Sequence, residues 1–284
     1  MSLCSFIGML TYLFGFHFTI RSWGYMMSVP IGAMALALLI GMTAAILGIG
    51  GGVFLVPTLH MLLGLDMHSA VGTSLFIIFF LASTATISYS RKGLIMWKLA
   101  LIFECGSTVG AYIGARVSNM LPSQWLKICF SAVLLYTAFR MWQRSSKEGA
   151  ESSAENKSSR KYNLKNPTFI FMLILLGFVA GFLSGLLGIG GGVVKVPIMK
   201  LILGMAMHNA IATSAFMISI TSSIGSITHF MLDNVDYLLG LALAPFVIIG
   251  SHIGTRIAVK LKGATISRLF AVLLAFVATR MIIG

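Results

Sequence analysis

Two ionisable side chains stand inside long apolar runs of this chain, Lys195 and Glu104. A charge at membrane depth is costly and marks function by default. Lys195 comes three residues after the last glycine of L-G-I-G-G-G-V, which runs from Leu187 to Val193. The same seven residues occur from Leu47 to Val53. Glycine costs roughly 1 kcal/mol in a helix interior, so three in a row stop the helix. Non-helical backbone at that depth must be satisfied by protein, water or a ligand. The helix restarting near Val53 or Val193 offers free N–H groups and the positive end of its dipole, and glycine lets a ligand reach the backbone. That chemistry suits an anion. Candidate binding residues are therefore Gly50, Gly51 and Gly52 with Gly190, Gly191 and Gly192, joined by Lys195 as a positive charge. If its segment ends near an interface, Lys195 instead snorkels to water.

Other residues recur beside the glycines. Pro57 and Pro197 fit a first-turn or kink position just beyond each break. Thr73-Ser74 and Thr213-Ser214 offer hydroxyls to an anion, or to the backbone one turn back. His68 and His208 follow short loops at helix starts and could carry a coupling proton or simply cap and pack. Glu104 could couple a proton or pair with a nearby base. Competing chemistries lack their residues. A dinucleotide loop needs a glycine where Val53 stands, the phosphate-loop G-K-[ST] is missing, and neither H-E-x-x-H nor C-x-x-C occurs. No metal, cofactor or enzymatic nucleophile–base pair is expected.

The elements that position these residues form a duplication. At a constant offset of 140, Gly48 meets Gly188, Pro57 meets Pro197, His68 meets His208, and Arg116 meets Arg256; 17 of the 31 positions from Leu47 to Ile77 are identical. Such self-similarity marks a unit used twice. Lys195 breaks the pattern opposite Leu55, and Glu104 stands opposite Ala244.

Composition places the units in a bilayer. Apolar residues make up 58% of the 284, charged ones 10%, and mean hydropathy is +0.97. So few charges cannot cover a soluble core, and long apolar runs read as membrane helices. The net charge of +13 is spread over loops and helix ends rather than gathered on one face, so no nucleic-acid partner is expected. The expected architecture is all-α: a polytopic protein of two homologous repeats with helices broken at the glycine motifs. Its segments are an extra apolar stretch at 1–28, a first repeat at 29–142, a hydrophilic linker at 143–167 and a second repeat at 168–284. Ala37, Gly41 and Ala45, their mates Gly177, Gly181 and Gly185, and Gly106, Gly110 and Gly114 recur every four residues as close-packing faces.

Loop charge bears on orientation. The Arg91–Lys98 loop and the Arg140–Lys165 stretch, with seven Lys/Arg, favour the cytoplasm, whereas Asp233 and Asp236 favour the outside. That requires an odd number of crossings per unit and inverted halves, with the short 53–65 segment crossing. If 53–65 is re-entrant, counting gives four crossings and parallel halves. Inverted halves are the expectation.

At these residues the sequence resembles the sulfite exporter family, TauE/SafE. The resemblance rests on the twice-occurring G-x-G-G-G followed by Pro57 or Pro197, and on H-x-A-x-x-T-S at His68–Ser74 and His208–Ser214. It spans nearly the whole chain from Val29. It implies a membrane permease for small anions such as sulfite or sulfonates. The leading expectation is a multi-pass secondary transporter of the cell (inner or plasma) membrane, an exporter working by alternating access at the two broken helices. With no nucleotide motif, coupling to a proton or sodium gradient is the default. A passive anion channel and a permease for another small organic anion are the alternatives. Oligomeric state is not readable.

Overall fold

The computed structural model describes residues 31–148 and 166–272, except 264, 267 and 271. The 1–28 stretch and residues 149–165 of the linker lie outside these. Among the described residues every regular element is helical. The first half comprises α1 (Ile31–Leu47), α2 (Gly52–Pro57) running into a π-helical turn (Thr58–Leu62), α3 (Met67–Ser90), α4 (Trp97–Ser118) and α5 (Ser123–Glu148). The second comprises α6 (Pro167–Leu187), α7 (Gly192–Pro197) with its π-helical turn (Ile198–Ile202), α8 (Met207–Phe230) and α9 (Tyr237–Ala258). Helix α5 runs through 143–148, the first residues of the expected linker.

Among the described residues, four helices, α3, α6, α8 and α9, are long and apolar enough to cross a membrane. Helix α4 equals α9 in length, at 22 residues, but carries Lys98, Glu104 and Arg116. At 1.5 Å per residue it still covers about 30 Å.

The halves interlock through their small residues. Gly106, Gly110 and Gly114 on α4 lie against the backbone of Ile174, Phe178 and Phe182 on α6. Gly177, Gly181 and Gly185 reciprocate against Phe103, Ser107 and Ala111. The counterpart seam joins α1 to α9, where Gly250 and Gly254 meet Leu38 and Met42. Each close-packing face therefore serves the other half, and in both seams the paired helices run parallel.

Helices α3 and α8 occupy the centre, and their register is early-with-late. Gly72 near the start of α3 lies against His229 and Asn234, while Leu75 lies against Gly225. Equivalent helices thus run antiparallel. Hydrogen bonds at the ends agree: the Asp236 N–H donates to Thr73 Oγ1 at 2.8 Å and the Met96 N–H to Thr213 Oγ1 at 3.1 Å.

This geometry separates two properties that the sequence tied together. Helix α9 starts beside Thr73, and α1 runs parallel to it, so α1 enters from the end where α3 begins. It stops at Gly48, whose carbonyl accepts from Ser214 Oγ at 2.8 Å, well inside the span of α8. Residues 63–66 then connect α2 and its π-helical turn directly to the start of α3. Helices α1 and α2 form a re-entrant hairpin, entered and left by one end, and the halves are antiparallel all the same. Counting α1 as a complete crossing is what had linked re-entry to parallel halves.

The ends differ in charge. Asp66, Asp233 and Asp236 gather where α3 begins. At the other end Lys92 Nζ donates to the Thr255 carbonyl at 3.0 Å, beside Arg256, with Arg91, Lys260 and Lys262 nearby in sequence. The excess of Lys and Arg in short loops marks the cytoplasmic side. With the three native cysteines removed, a cysteine at Asn234 should react with an impermeant maleimide from outside, and one at Lys92 only from inside. Labelling of position 234 from the cytoplasm alone would reverse this orientation.

Candidate functional site

The G-I-G-G-G turns meet at the centre of the molecule, each packed on the other. A Cβ added to Gly52 would lie 2.2 Å from the Gly188 carbonyl oxygen, and one on Gly192 would lie 2.4 Å from that of Ile49. At Gly191 the reason for glycine differs: φ is +78°, in the left-handed region. Pro57 and Pro197 end the short helices where the winding widens into the π-helical turns, as expected where a ring replaces a backbone donor.

Lys195 lies one turn into α7 and is fully buried. Its ammonium donates to Glu104 Oε2 at 3.1 Å, to the Met217 carbonyl at 3.2 Å and to the Thr221 hydroxyl. Thr221 Oγ1 in turn donates to Glu104 Oε1 and lies 2.9 Å from Ser107 Oγ. Ser184 on α6 adjoins this cluster. A Cβ on Gly191 would fall 3.1 Å from Lys195 Cε and 3.2 Å from Ser184 Cβ. Ser184 Oγ is buried with no hydrogen-bond partner among the described residues.

Five polar side chains are thus packed between α4, α6, α7 and α8, and each has an apolar mate in the other half. Leu55 answers Lys195, Ala244 answers Glu104, Val247 answers Ser107, Leu81 answers Thr221 and Ala44 answers Ser184. Around Gly51 the corresponding space is filled by Leu81, Ala44 and Ile40. The same helical frame therefore packs with or without charge. Burying an ion pair costs several kcal/mol per ion unless further hydrogen bonds compensate, and apolar residues of similar volume do as well or better for stability. A polar set kept in one half where the other is apolar points to function rather than packing.

The remaining candidates are placed as follows. Ser74 Oγ donates to the carbonyls of Val71 at 2.7 Å and Gly188 at 2.9 Å, mirroring Ser214 on Gly48. Each serine thereby caps the broken helix of the other half, and Thr73 and Thr213 accept the start of α9 and α4. The Thr-Ser pairs are engaged with backbone on both sides of the molecule. Gly50 and Gly190 both lie against Ile78 and Ile218. His208 Nε2 bonds the Leu261 carbonyl at 3.0 Å, while His68 Nδ1 is buried without a hydrogen-bond partner among the described residues. No hydrogen bond joins either histidine to Lys195 or Glu104.

Thr221, Ser107 and Ser184 were not singled out by sequence reasoning. Their signal was present, since a residue-by-residue comparison of the halves at offset 140 isolates polar positions with apolar mates.

This site lies within residues 33–281, which match the sulfite exporter TauE/SafE family. The chain belongs to that family. It is 29% identical over 263 residues to the probable membrane transporter protein YunE of Bacillus subtilis, covering 88% of this chain and 96% of that one. It is 30% identical over 242 residues to a probable membrane transporter protein of Methanocaldococcus jannaschii, covering 79% and 84%. Identity to the probable membrane transporter protein MamO of Paramagnetospirillum magneticum is 23% over 288 residues, 91% of this chain but 45% of that one. No solved structure matches. Family and helices together make this TauE/SafE protein a multi-pass membrane transporter.

Proposed function

We propose that the protein is a secondary transporter of the cell membrane, carrying small sulfur-containing anions by alternating access at a site beside the paired glycine turns. The observation that supports this reading most is the buried Lys195. It is a cation at the foot of a broken helix, flanked by Gly191 and by the unpartnered Ser184 hydroxyl, in a half whose twin is apolar at the same positions. The lysine ammonium and the serine hydroxyl can both donate to an oxyanion such as sulfite or a sulfonate, with the Glu104 carboxylate occupying the ammonium in the resting site. Gly190 and Gly192 shape the turn around them. Gly50, Gly51, Gly52 and Pro57 form the apolar counterpart, which suits an organic substituent better than a charge.

Uptake into proteoliposomes tests the reading with sulfite, methanesulfonate and the neutral dimethyl sulfone. The two anions should be moved in preference to the sulfone, with saturation and counterflow, the mark of a carrier rather than a pore. Lys195→Met removes one charge-assisted contact worth roughly 1.5–3 kcal/mol and should weaken anion affinity by about ten-fold to a hundred-fold. Equal transport of the sulfone, or unchanged affinity in Lys195→Met, would overturn the assignment.

A further inference from the structure

We infer that Glu104 holds the place of the substrate anion on Lys195, and that the anion displaces it only when Glu104 takes up a proton, so that each anion binds together with one proton. This rests on the anion-carrier reading above and adds to it the identity of the coupling ion and the residue that carries it.

Geometry supplies the competition. The Lys195 ammonium has three donors, and all are committed, to Glu104, to the Met217 carbonyl and to Thr221. An oxyanion reaching this ammonium must take over a donor, and the carboxylate is the group it resembles in charge and shape. Charge conservation then dictates the proton. With Lys195 and Glu104 both ionised, the closed site is neutral. Adding a monoanion while Glu104 stays ionised leaves one uncompensated negative charge in a buried site, which is expensive. Adding the anion together with a proton on Glu104 leaves the site neutral before and after.

The surroundings can receive a protonated Glu104. Once uncharged, it still needs hydrogen-bond partners, and Thr221 Oγ1 is already in contact with it, linked to Ser107 Oγ at 2.9 Å and to the Met217 carbonyl at 2.9 Å. The incoming anion in turn finds a donor the resting site leaves unused, the Ser184 hydroxyl across Gly191 from Lys195. Hydroxyls that can donate or accept suit a site that alternates between two protonation states.

Among the described residues, no other titratable side chain hydrogen-bonds to Lys195, Glu104 or Thr221. Helix α6 carries none from 167 to 187, and α7 brings only Lys195, with Lys200 following in the π-helical turn. Along α8 the titratable residues are His208 and His229, and His229 Nε2 bonds the Gly185 carbonyl at 3.1 Å. On α4 itself Lys98 and Arg116 occupy the first and last turns, and Cys105 and Tyr112 are exposed. Glu104 is the one carboxylic acid among the described helices at this depth.

Methanesulfonate is the probe for the test, with ethanesulfonate as a second, because both are monoanions that do not titrate near neutrality as sulfite does. Affinity is measured on purified protein across a pH series, and proton uptake on binding with an indicator dye in weak buffer. In the wild type, affinity should fall by about ten-fold per pH unit above the titration of Glu104, and one proton should be taken up per anion. Glu104→Gln, a permanent mimic of the protonated acid, should bind at all pH values with no proton uptake. Glu104→Asp should restore uptake with a displaced midpoint. If Glu104→Gln does not fold, Thr221→Val, which removes the shared hydroxyl, should shift the pH midpoint while leaving one proton per anion. Binding without proton uptake in the wild type, or uptake that persists in Glu104→Gln, would overturn the exchange and leave the carrier reading standing. Failure of the wild type to bind either anion at any pH would overturn both.

Discussion

Lys195→Leu alone should destabilise the protein by about 3–5 kcal/mol, and adding Glu104→Ala should restore most of that loss. The residues introduced are those that the other half carries at the same positions, Leu55 and Ala244. Removing only the ammonium leaves Glu104, 3% exposed, without its ion-pair partner among helices that exclude water. It must then be held neutral or suffer desolvation, and either state forfeits the charge-assisted hydrogen bonds from Lys195. Removing both charges gives the two positions the residues the other half carries there, and leaves Thr221 bonded to Ser107 and to the Met217 carbonyl. Thermal melting in detergent of the two single variants and the double variant forms a thermodynamic cycle that isolates the pair. A double variant whose loss equals the sum of the two single losses would mean that the two residues are not coupled.

Read from sequence alone, Lys195→Met would leave stability nearly unchanged, because the residues around position 195 along the chain are apolar. The carboxylate that reverses this expectation lies 91 residues earlier, on α4. Local sequence contains nothing to say that a helix of the first half delivers Glu104 to a lysine of the second. The swap follows from the glycine seams, Gly106, Gly110 and Gly114 against α6, whose spacing announced a close-packing face without naming its partner.

What was legible had a strong one-dimensional signature. Apolar runs of spanning length give helices, and three glycines inside one give a break. The family could be recognised from the same repeated motifs. What was not legible depended on pairing in space. Thr73 and Ser74 are hydroxyls at a suggestive spacing, yet the spacing is equally that of two caps, one for the α9 start and one for the Gly188 carbonyl. The depth at which α1 stops is likewise set by Ser214 and the facing glycine turn rather than by the length of its apolar run. Ser184 shows the opposite case, a residue whose role becomes visible only when its mate Ala44 is read beside it.

Adjacent glycines in the second turn should fail in different ways. Gly192→Ala should abolish recovery of folded protein, and Gly191→Ala should leave a folded protein with impaired transport. At Gly192 an added methyl would sit 2.4 Å from the Ile49 carbonyl oxygen and 2.5 Å from that of Gly48, so only separation of the two central turns can admit it. Those turns carry the pseudo-symmetric centre, and Gly52 meets Gly188 across it in the same way, so the loss extends to the packing of both halves. Large effects of this kind exceed about 4–5 kcal/mol and arise from a short list of causes, overpacking against fixed backbone among them. At Gly191 the methyl would meet Lys195 Cε at 3.1 Å and Ser184 Cβ at 3.2 Å, both side-chain atoms, so the fold can yield. The cost there is the left-handed φ of +78°, roughly 1–2 kcal/mol for a residue with a Cβ. The lysine must shift to make room, and anion transport should fall with it. Gly93→Ala is the control, at φ +66° with open space around the missing Cβ, and should show the backbone strain alone. Size-exclusion profiles and melting curves separate the three, followed by methanesulfonate uptake for those that fold. A well-folded Gly192→Ala protein would show that the two turns are not held in the contact described here.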